Sequence, residues 1–299
     1  MIVPPPVVAG ATIGVVAPGG AVQAEALERG VAGLEAMGFR VRLGDHVLAR
    51  HRYLAGPPEL RLADLTAMLR DPEVGAVVCA RGGYGTSQIL PLLDPTVIAS
   101  FPKLVVGYSD VSPLLGWVVE RCGVAALHGP MVATDLAKGL SEHAASRLAT
   151  LLARPDSAWR EPIPEVVRTG VATGRLVGGC LSSLVALLGT PYAVETAGAV
   201  LFLEDVAERP YRIDRMLTHL RLAGKLERVA AVVLGSFADC DGPGADDLVV
   251  AVFRDFFADA PFPVVAGFPA GHLSENLALT LGVPLRVDAD AGYVEALPA

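Results

Sequence analysis

From residue 12 onward, short apolar runs alternate with longer stretches in which apolar residues recur every three or four positions. "TIGVVAP" predicts a strand, and "AEALERGVAGLEAMG" predicts an amphipathic helix closed by Gly38. "FRVRLG" is a second strand, and "PPELRLADLTAMLRDP" is a second helix stopped at Pro72. A third strand, "VGAVVCA", leads to a short helix, "TSQILPLLD", and then to a fourth strand, "KLVVGYS". Strands that read as unbroken apolar runs are buried on both faces, so this rhythm predicts a parallel sheet flanked by helices. Chemistry in such sheets gathers in the loops at the strands' carboxyl ends.

The rhythm pauses at "ARPDSAWREPIPEVVRTGVATG", which holds three prolines and no clean period. It reads as a linker over 154–174, between an N-terminal domain, 1–153, and a second domain, 175–299. The second domain opens with "GGCLSSLVALLGTPY". Next come a strand in "GAVLFLEDV", the helix "YRIDRMLTHLRLAGKL", the strand "VAAVVLGSF", a helix near "DDLVVAVFRDFFAD" and the segment "PVVAGFPAGH". The tail "LALTLGVPLRVDADAGYVEAL" predicts short antiparallel strands. The expected fold class is α/β: a parallel sheet with flanking helices, followed by a smaller α/β domain richer in strand.

Hydrophobic residues make up 52% of the chain and charged residues 19%, enough for a sizeable core and inconsistent with disorder. The net charge of −8, with no Lys/Arg run, argues against a nucleic-acid groove. The N-terminal residues lack the basic and continuous apolar regions of a secretory signal, and no apolar run approaches a membrane span. Four cysteines without CxxC spacing read as reduced thiols of a cytosolic protein. The six histidines form no H-E-x-x-H or similar cluster, so neither a metal nor another cofactor is expected.

Four polar knots each follow an apolar strand. "APGG" (17–20) lacks the spacing of a dinucleotide or phosphate loop and reads as a turn. "ARGGYGTS" (80–87) places three glycines within four positions, so it serves either as a tight turn or as a loop aiming N–H groups at a ligand, with Arg81 adding a cation. In "LVVGYSDVSPLL", Ser109 stands on a strand-to-helix turn with Gly107 two places earlier. The motif departs from G-x-S-x-G at Val111, and taken alone Ser109 reads as a helix cap ahead of a nucleophile. The fourth knot is a pair of segments. Glu204 and Asp205 end one strand, and His272 sits in a glycine-containing loop after another. Together these supply a hydroxyl, a base and an orienting carboxylate in chain order Ser, Glu, His, the three types that nucleophilic catalysis needs.

"ARGGYG", "VGYSDVSPLL", "LHGPM", "GGCLSSLVALLGTPY", "LFLEDVAERPYRIDRMLTHLRLAG" and "AGFPAGH" jointly resemble the LD-carboxypeptidase family of serine peptidases, relatives of the microcin-immunity peptidases, over nearly the whole chain. The resemblance implies Ser109 as nucleophile, Glu204 as orienting carboxylate and His272 as general base, with oxyanion donors from the backbone of Gly83 and Asp110. It implies a Rossmann-like N-terminal domain and a swivelling C-terminal domain, with the triad assembled across the cleft. Its typical substrate is the L,D bond before the terminal D-Ala of a murein tetrapeptide, and such enzymes are cytoplasmic, metal-free and usually homodimeric. One departure is Cys180, where the family commonly carries Asn. It reads either as an activated thiolate at a helix start or as a packing change.

Two rivals remain on sequence grounds. One is a microcin-immunity-type peptidase cleaving an aminoacyl-nucleotide conjugate. The other is a non-catalytic binding protein on the same scaffold. A carboxypeptidase must recognise a free terminal carboxylate, for which Arg81, Arg212 and Arg215 are the candidate cations. Glu204 and Asp205 are neighbours pointing to opposite faces of their strand, so spacing alone does not select between them. A carboxylate beside His272 would favour the imidazolium, so activity is expected to fall on acidification.

Overall fold

The structure, a computed structural model, describes residues 1–242 and 248–298. These residues form two compact units, one of Met1–Pro155 with Ser274–Gly282, the other of Asp156–Leu273 with Val283–Ala299.

The first unit alternates β1 (Thr12–Val16), α1 (Ala24–Ala36), β2 (Arg40–Leu43), α2 (Pro58–Arg70), β3 (Val74–Cys79), α3 (Thr86–Ile89), α4 (Pro95–Ser100), β4 (Leu104–Gly107), α5 (Ser112–Cys122), β5 (Ala126–His128) and α6 (Glu142–Ala153). Strands β2, β1, β3, β4 and β5 lie side by side in parallel. β1 is buried along its whole length, and β4 likewise, as their unbroken apolar runs require. The chain leaves β1 first to β2 on one side and then to β3 on the other, so the strand order reverses between β1 and β3. A crevice opens at such a switch point, beyond the strands' carboxyl ends. The "APGG" and "ARGGYGTS" loops both leave the sheet there.

The second unit is built on an eight-stranded sheet. β6 (Trp159–Pro162), β7 (Glu165–Arg168) and β8 (Val171–Cys180) lead to α7 (Leu181–Val185), β9 (Ala199–Val206), α8 (Pro210–Leu222), β10 (Ala231–Ala238), α9 (Leu248–Phe256) and β11 (Val264–Ala266). β8, β9, β10 and β11 are parallel neighbours. β12 (Leu279–Leu281) pairs antiparallel with β5 in the first unit's sheet, while β13 (Pro284–Asp288) and β14 (Tyr293–Ala296) extend the second sheet. Ile213, Leu217 and Leu220 of α8 join Val249 and Phe253 of α9 over the apolar strand residues Leu201, Leu203, Val232 and Leu234. Asp246 and Asp247, the first residues of the expected "DDLVVAVFRDFFAD" helix, lie outside the described residues.

Two boundaries differ from the expectation. The segment 154–174, read as a linker, contains β6, β7 and the start of β8, all hydrogen-bonded into the second sheet. Pro162 and Pro164 sit at or beside the ends of β6 and β7, where a missing N–H costs no ladder bond within a central strand. The region 175–299 is also not one continuous domain. Residues 274–282 belong to the first unit because the short apolar strand "LTL" completes the edge of β5. Among the described residues, no helix is long and apolar enough to cross a membrane.

Lys103, just before β4, caps the end of α2. Its ammonium donates to Met68 O at 3.0 Å and to the carbonyl of Asp71. Burial pulls its pKa down to about 8 from the usual 10.5. Between those two values the unfolded chain binds more protons than the folded one, so this residue's contribution to stability rises with pH through that window. Thermal melts should show the wild type gaining on Lys103→Met from pH 8 towards 10.5. A pH-independent difference would refute the titration.

Candidate active site

At the end of β4, Tyr108 is extended, with φ −159°, and Ser109 turns abruptly into the left-handed region at φ +61°. Such a conformation in a non-glycine residue costs about 1–3 kcal/mol and persists only where surrounding structure over-determines it. Here the next residues form a helical turn, Ser109–Val111, that runs into α5 with Pro113 in its first turn. The chain therefore reverses sharply and lifts the half-buried serine off the end of the sheet. Gly107 is needed because a side chain there would meet Val111 at 2.8 Å.

The glycine loops pack directly against this turn. A methyl group at Gly82 would stand 2.9 Å from Ser109 Cβ, 3.0 Å from its Oγ and 3.3 Å from Asp110 N. Gly83 and Gly85 adopt φ of +97° and +133°, open to glycine and strained for other residues. The "APGG" turn forms a second layer behind this loop. Gly20 N donates to Gly82 O at 2.9 Å, and Gly19 is crowded by Asp110 Oδ2 and Thr86 Oγ1. The buried Asp110 carboxylate accepts from Thr86 N at 3.0 Å and Thr86 Oγ1 at 2.8 Å. Burial raises its pKa, and these bonds together with the positive charge of Arg61 oppose the rise. The side chain of Asp110 is thus committed to the loop, while its backbone N–H lies beside Ser109. Gly83, Asp110 and Ser109, three of the expected site residues, are brought together within the first unit.

Glu204 and His272 come together in the second unit. Glu204 lies near the carboxyl end of the central strand β9 and has a side chain of 0% exposure. Its Oε2 lies 2.6 Å from His272 Nδ1, and the imidazole is 17% exposed. The close approach depends on Gly271, at φ +110°, where a side chain would meet Glu204 Oε2 at 2.6 Å. Asp205 points the other way. It accepts from Ser182 N at 2.8 Å and from Val206 N at 2.9 Å, binding the start of α7. The alternation along β9 thus gives the two adjacent carboxylates separate duties.

Cys180 is buried at the end of β8, opposite Glu204 in the sheet register. Its Sγ stands 3.4 Å from Ser182 Oγ and 3.7 Å from Asp205 Oδ1. Burial first, then the charges of Glu204 and Asp205, push its thiol pKa up. That environment suppresses the thiolate, so the activated-cysteine reading does not hold. Iodoacetamide at pH 8 should leave Cys180 unmodified in the native protein, as read by peptide mass mapping. Rapid alkylation there would contradict the burial.

The three arginines differ. Arg81 is half-buried, donates from Nη1 to Ala21 O at 3.0 Å, and has a buried Nε that meets no hydrogen-bond partner. Arg212 and Arg215 lie on the exposed face of α8. Arg212 pairs with Glu208 at 3.5 Å, one helical turn away, and the Arg215 guanidinium sits 5.9 Å from the Tyr211 ring centroid. Their surroundings account for both as helix-surface charges. Among the described residues, no group of three or more His, Cys, Asp or Glu is placed to hold a metal ion.

The sequence reading missed Arg61, which is 2% exposed in the first turn of α2. The signal was present: Arg61 shares a helix face with Leu65, Met68 and Leu69, all buried, so a cation interrupts an apolar stripe. It also treated "APGG" as a plain turn, because the contacts that make it a supporting layer are all long-range.

The chain matches the family model of the LD-carboxypeptidase N-terminal domain over residues 13–129 and that of the LD-carboxypeptidase C-terminal domain over 173–287. A probable murein peptide carboxypeptidase of Bacillus subtilis is 38% identical over 91% of this chain and 87% of its own length. The murein tetrapeptide carboxypeptidase of Pseudomonas aeruginosa is 37% identical over 90% of this chain and 91% of its own. The crystal structure of muramoyltetrapeptide carboxypeptidase from Oxalobacter formigenes is 30% identical and superimposes with a TM-score of 0.86, covering 95% of this chain and 97% of that one. With a serine held in a strained elbow against a glycine loop, and a buried glutamate on a histidine, the chain belongs to the LD-carboxypeptidase family.

Proposed function

We propose that the protein hydrolyses the L,D peptide bond before the terminal D-Ala of murein tetrapeptides. Ser109 is the nucleophile, His272 the general base and Glu204 the carboxylate that orients it. What carries this reading is the 2.6 Å contact between Glu204 Oε2 and His272 Nδ1, with the carboxylate fully buried. A carboxylate at Nδ1 keeps a proton on that nitrogen, which makes Nε2 the basic one and stabilises the imidazolium once it forms.

In the first half-reaction Ser109 Oγ bonds to the scissile carbonyl carbon while its proton passes to His272 Nε2. The tetrahedral oxyanion takes hydrogen bonds from the N–H groups of Gly83 and Asp110. Collapse breaks the C–N bond, and D-Ala departs with the proton from His272. Water then attacks the acyl-serine by the same route, which restores the serine and releases the tripeptide acid. Arg81 is the proposed anchor for the terminal carboxylate, supported by its unfilled Nε. Arg212 and Arg215 are the lesser candidates, supported only by their charge.

Purified protein should release D-Ala from a muropeptide tetrapeptide and not from its all-L analogue. Cleavage of neither would remove the assignment. For the anchor, Arg81→Ala should erase the preference for the free acid over the C-terminal amide. If it keeps that preference, Arg81 is not the contact. We further propose a cytoplasmic location, supported by the reduced, buried state of all four cysteines, and a homodimer, to be checked by fractionation and sedimentation.

A further inference from the structure

Arg61 is one of the largest fully buried side chains of the protein. Its guanidinium reaches three separate loops. Nη1 donates to Pro18 O at 2.6 Å, in the turn after β1, and to Gly85 O at 2.8 Å, in the loop after β3. Nε donates to Gly56 O at 3.2 Å, just before α2, and Nη2 donates to Gln88 Oε1 at 2.7 Å on α3. Burying a guanidinium is costly, and replacing such a group with an apolar side chain of similar volume is often neutral for stability. A cation in an apolar stripe therefore calls for a reason beyond packing.

The reason lies in what these carbonyls belong to. The loops after β1 and β3 are rich in glycine and so have few side chains with which to fix themselves. Gly83 and Gly85 also occupy backbone conformations that cost glycine nothing to leave. Yet the Gly82 backbone must stay in contact with Ser109 and with Asp110 N. A planar fork with five donors can hold several carbonyls at fixed angles, which the single ammonium of lysine does not reproduce. A side chain at Gly85 would also meet Arg61 Nη1 at 2.8 Å, so the loop is moulded on the guanidinium itself.

We propose that Arg61 is a positioning residue for catalysis: by tying Pro18 and Gly85 together from below, it sets the Gly82–Gly83 backbone against Ser109. It touches no substrate and acts through the oxyanion loop alone. The inference rests on the proposed serine-hydrolase reading and adds to it a residue in α2 that supplies none of the reacting groups. The charge of Asp110, which faces the same loop, supports a cation at this position.

The test uses the full chain and begins with the wild type. Labelling of Ser109 by a fluorophosphonate and release of D-Ala establish the underlying reading; if the wild type does neither, that reading fails, and with it the role of Arg61. Given an active wild type, Arg61→Lys should lower kcat by about 10²-fold, the effect of a misplacement of roughly 1 Å, with KM little changed. Millimolar guanidinium should restore kcat to Arg61→Ala, and ethylammonium should not. Wild-type kcat in Arg61→Lys, a loss confined to KM, or a loss that tracks the melting temperature with no guanidinium rescue would each overturn the proposal. If the Arg61 variants do not fold, Gln88→Met decides, because it removes one of the four bonds and leaves the guanidinium in place. A lower kcat at unchanged KM sustains the role, and a wild-type kcat refutes it.

Discussion

Ser109→Ala should lower kcat for D-Ala release by about 10⁴- to 10⁶-fold, the range seen when a triad member is deleted from a serine hydrolase. The variant should still bind the tetrapeptide, because the proposed oxyanion donors are backbone groups that the substitution leaves in place. Its fold should also survive, since a single hydroxyl on a half-buried turn contributes little to the core. The backbone of this turn gives a second readout. At φ +61° alanine keeps the left-handed penalty, whereas Ser109→Gly relieves it by about 1–2 kcal/mol. The two inactive variants should therefore differ in thermal stability, with glycine above alanine. Equal melting temperatures would mean that the elbow is not strained, and full activity in either variant would end the serine assignment.

The second large effect separates two neighbours. Glu204→Gln should cost kcat about 10⁴-fold with little change in melting temperature, because the amide favours the wrong imidazole tautomer while filling the same space. Asp205→Asn should do the opposite. The Asp205 carboxylate accepts from two backbone N–H groups on different oxygens, and an asparagine turns an NH₂ towards one of them. Setting a donor against a buried donor costs about 1–3 kcal/mol, so this variant should melt lower while keeping most of its activity. His272→Ala should match the kinetic loss of Glu204→Gln. The reverse ranking of the two carboxylates would place the orienting role on Asp205.

The parallel cores were legible in the chain because strands buried on both faces are apolar without interruption, as in "TIGVV" and "LVVG". Their ends were legible too, since glycine and polar residues follow at once, and that marked the knots around Ser109, Glu204 and His272 as candidates. The roles of Gly83 and Glu204 came from the family resemblance alone. Edge strands carry less information. β6 and β7 are four residues each, with buried positions in alternation at most, and their prolines looked like a linker. The membership of β12 was invisible because nothing in "LTL" says which sheet it joins; only its pairing with β5 decides. The choice between Glu204 and Asp205 needed the phase of β9 relative to Gly271 and Ser182, which lie far away in sequence. Arg61 was overlooked for a related reason, since the acceptors that justify it are carbonyls, and carbonyls leave no trace in the sequence.

The return of residues 274–282 to the first sheet bears on how the protein can be dissected and made. A fragment ending near Pro155 would lack β12 and leave the edge of β5 open, a short apolar strand with unsatisfied backbone groups. Such an edge recruits other chains and promotes aggregation. During synthesis the same edge waits uncovered until the ribosome has delivered almost the entire polypeptide, so the first unit cannot finish folding on its own schedule. Poor yields of fragments truncated before this strand are the expected result, to be read from the soluble fraction on expression. Grafting "NLALTLG" onto the shortened chain is the remedy it suggests.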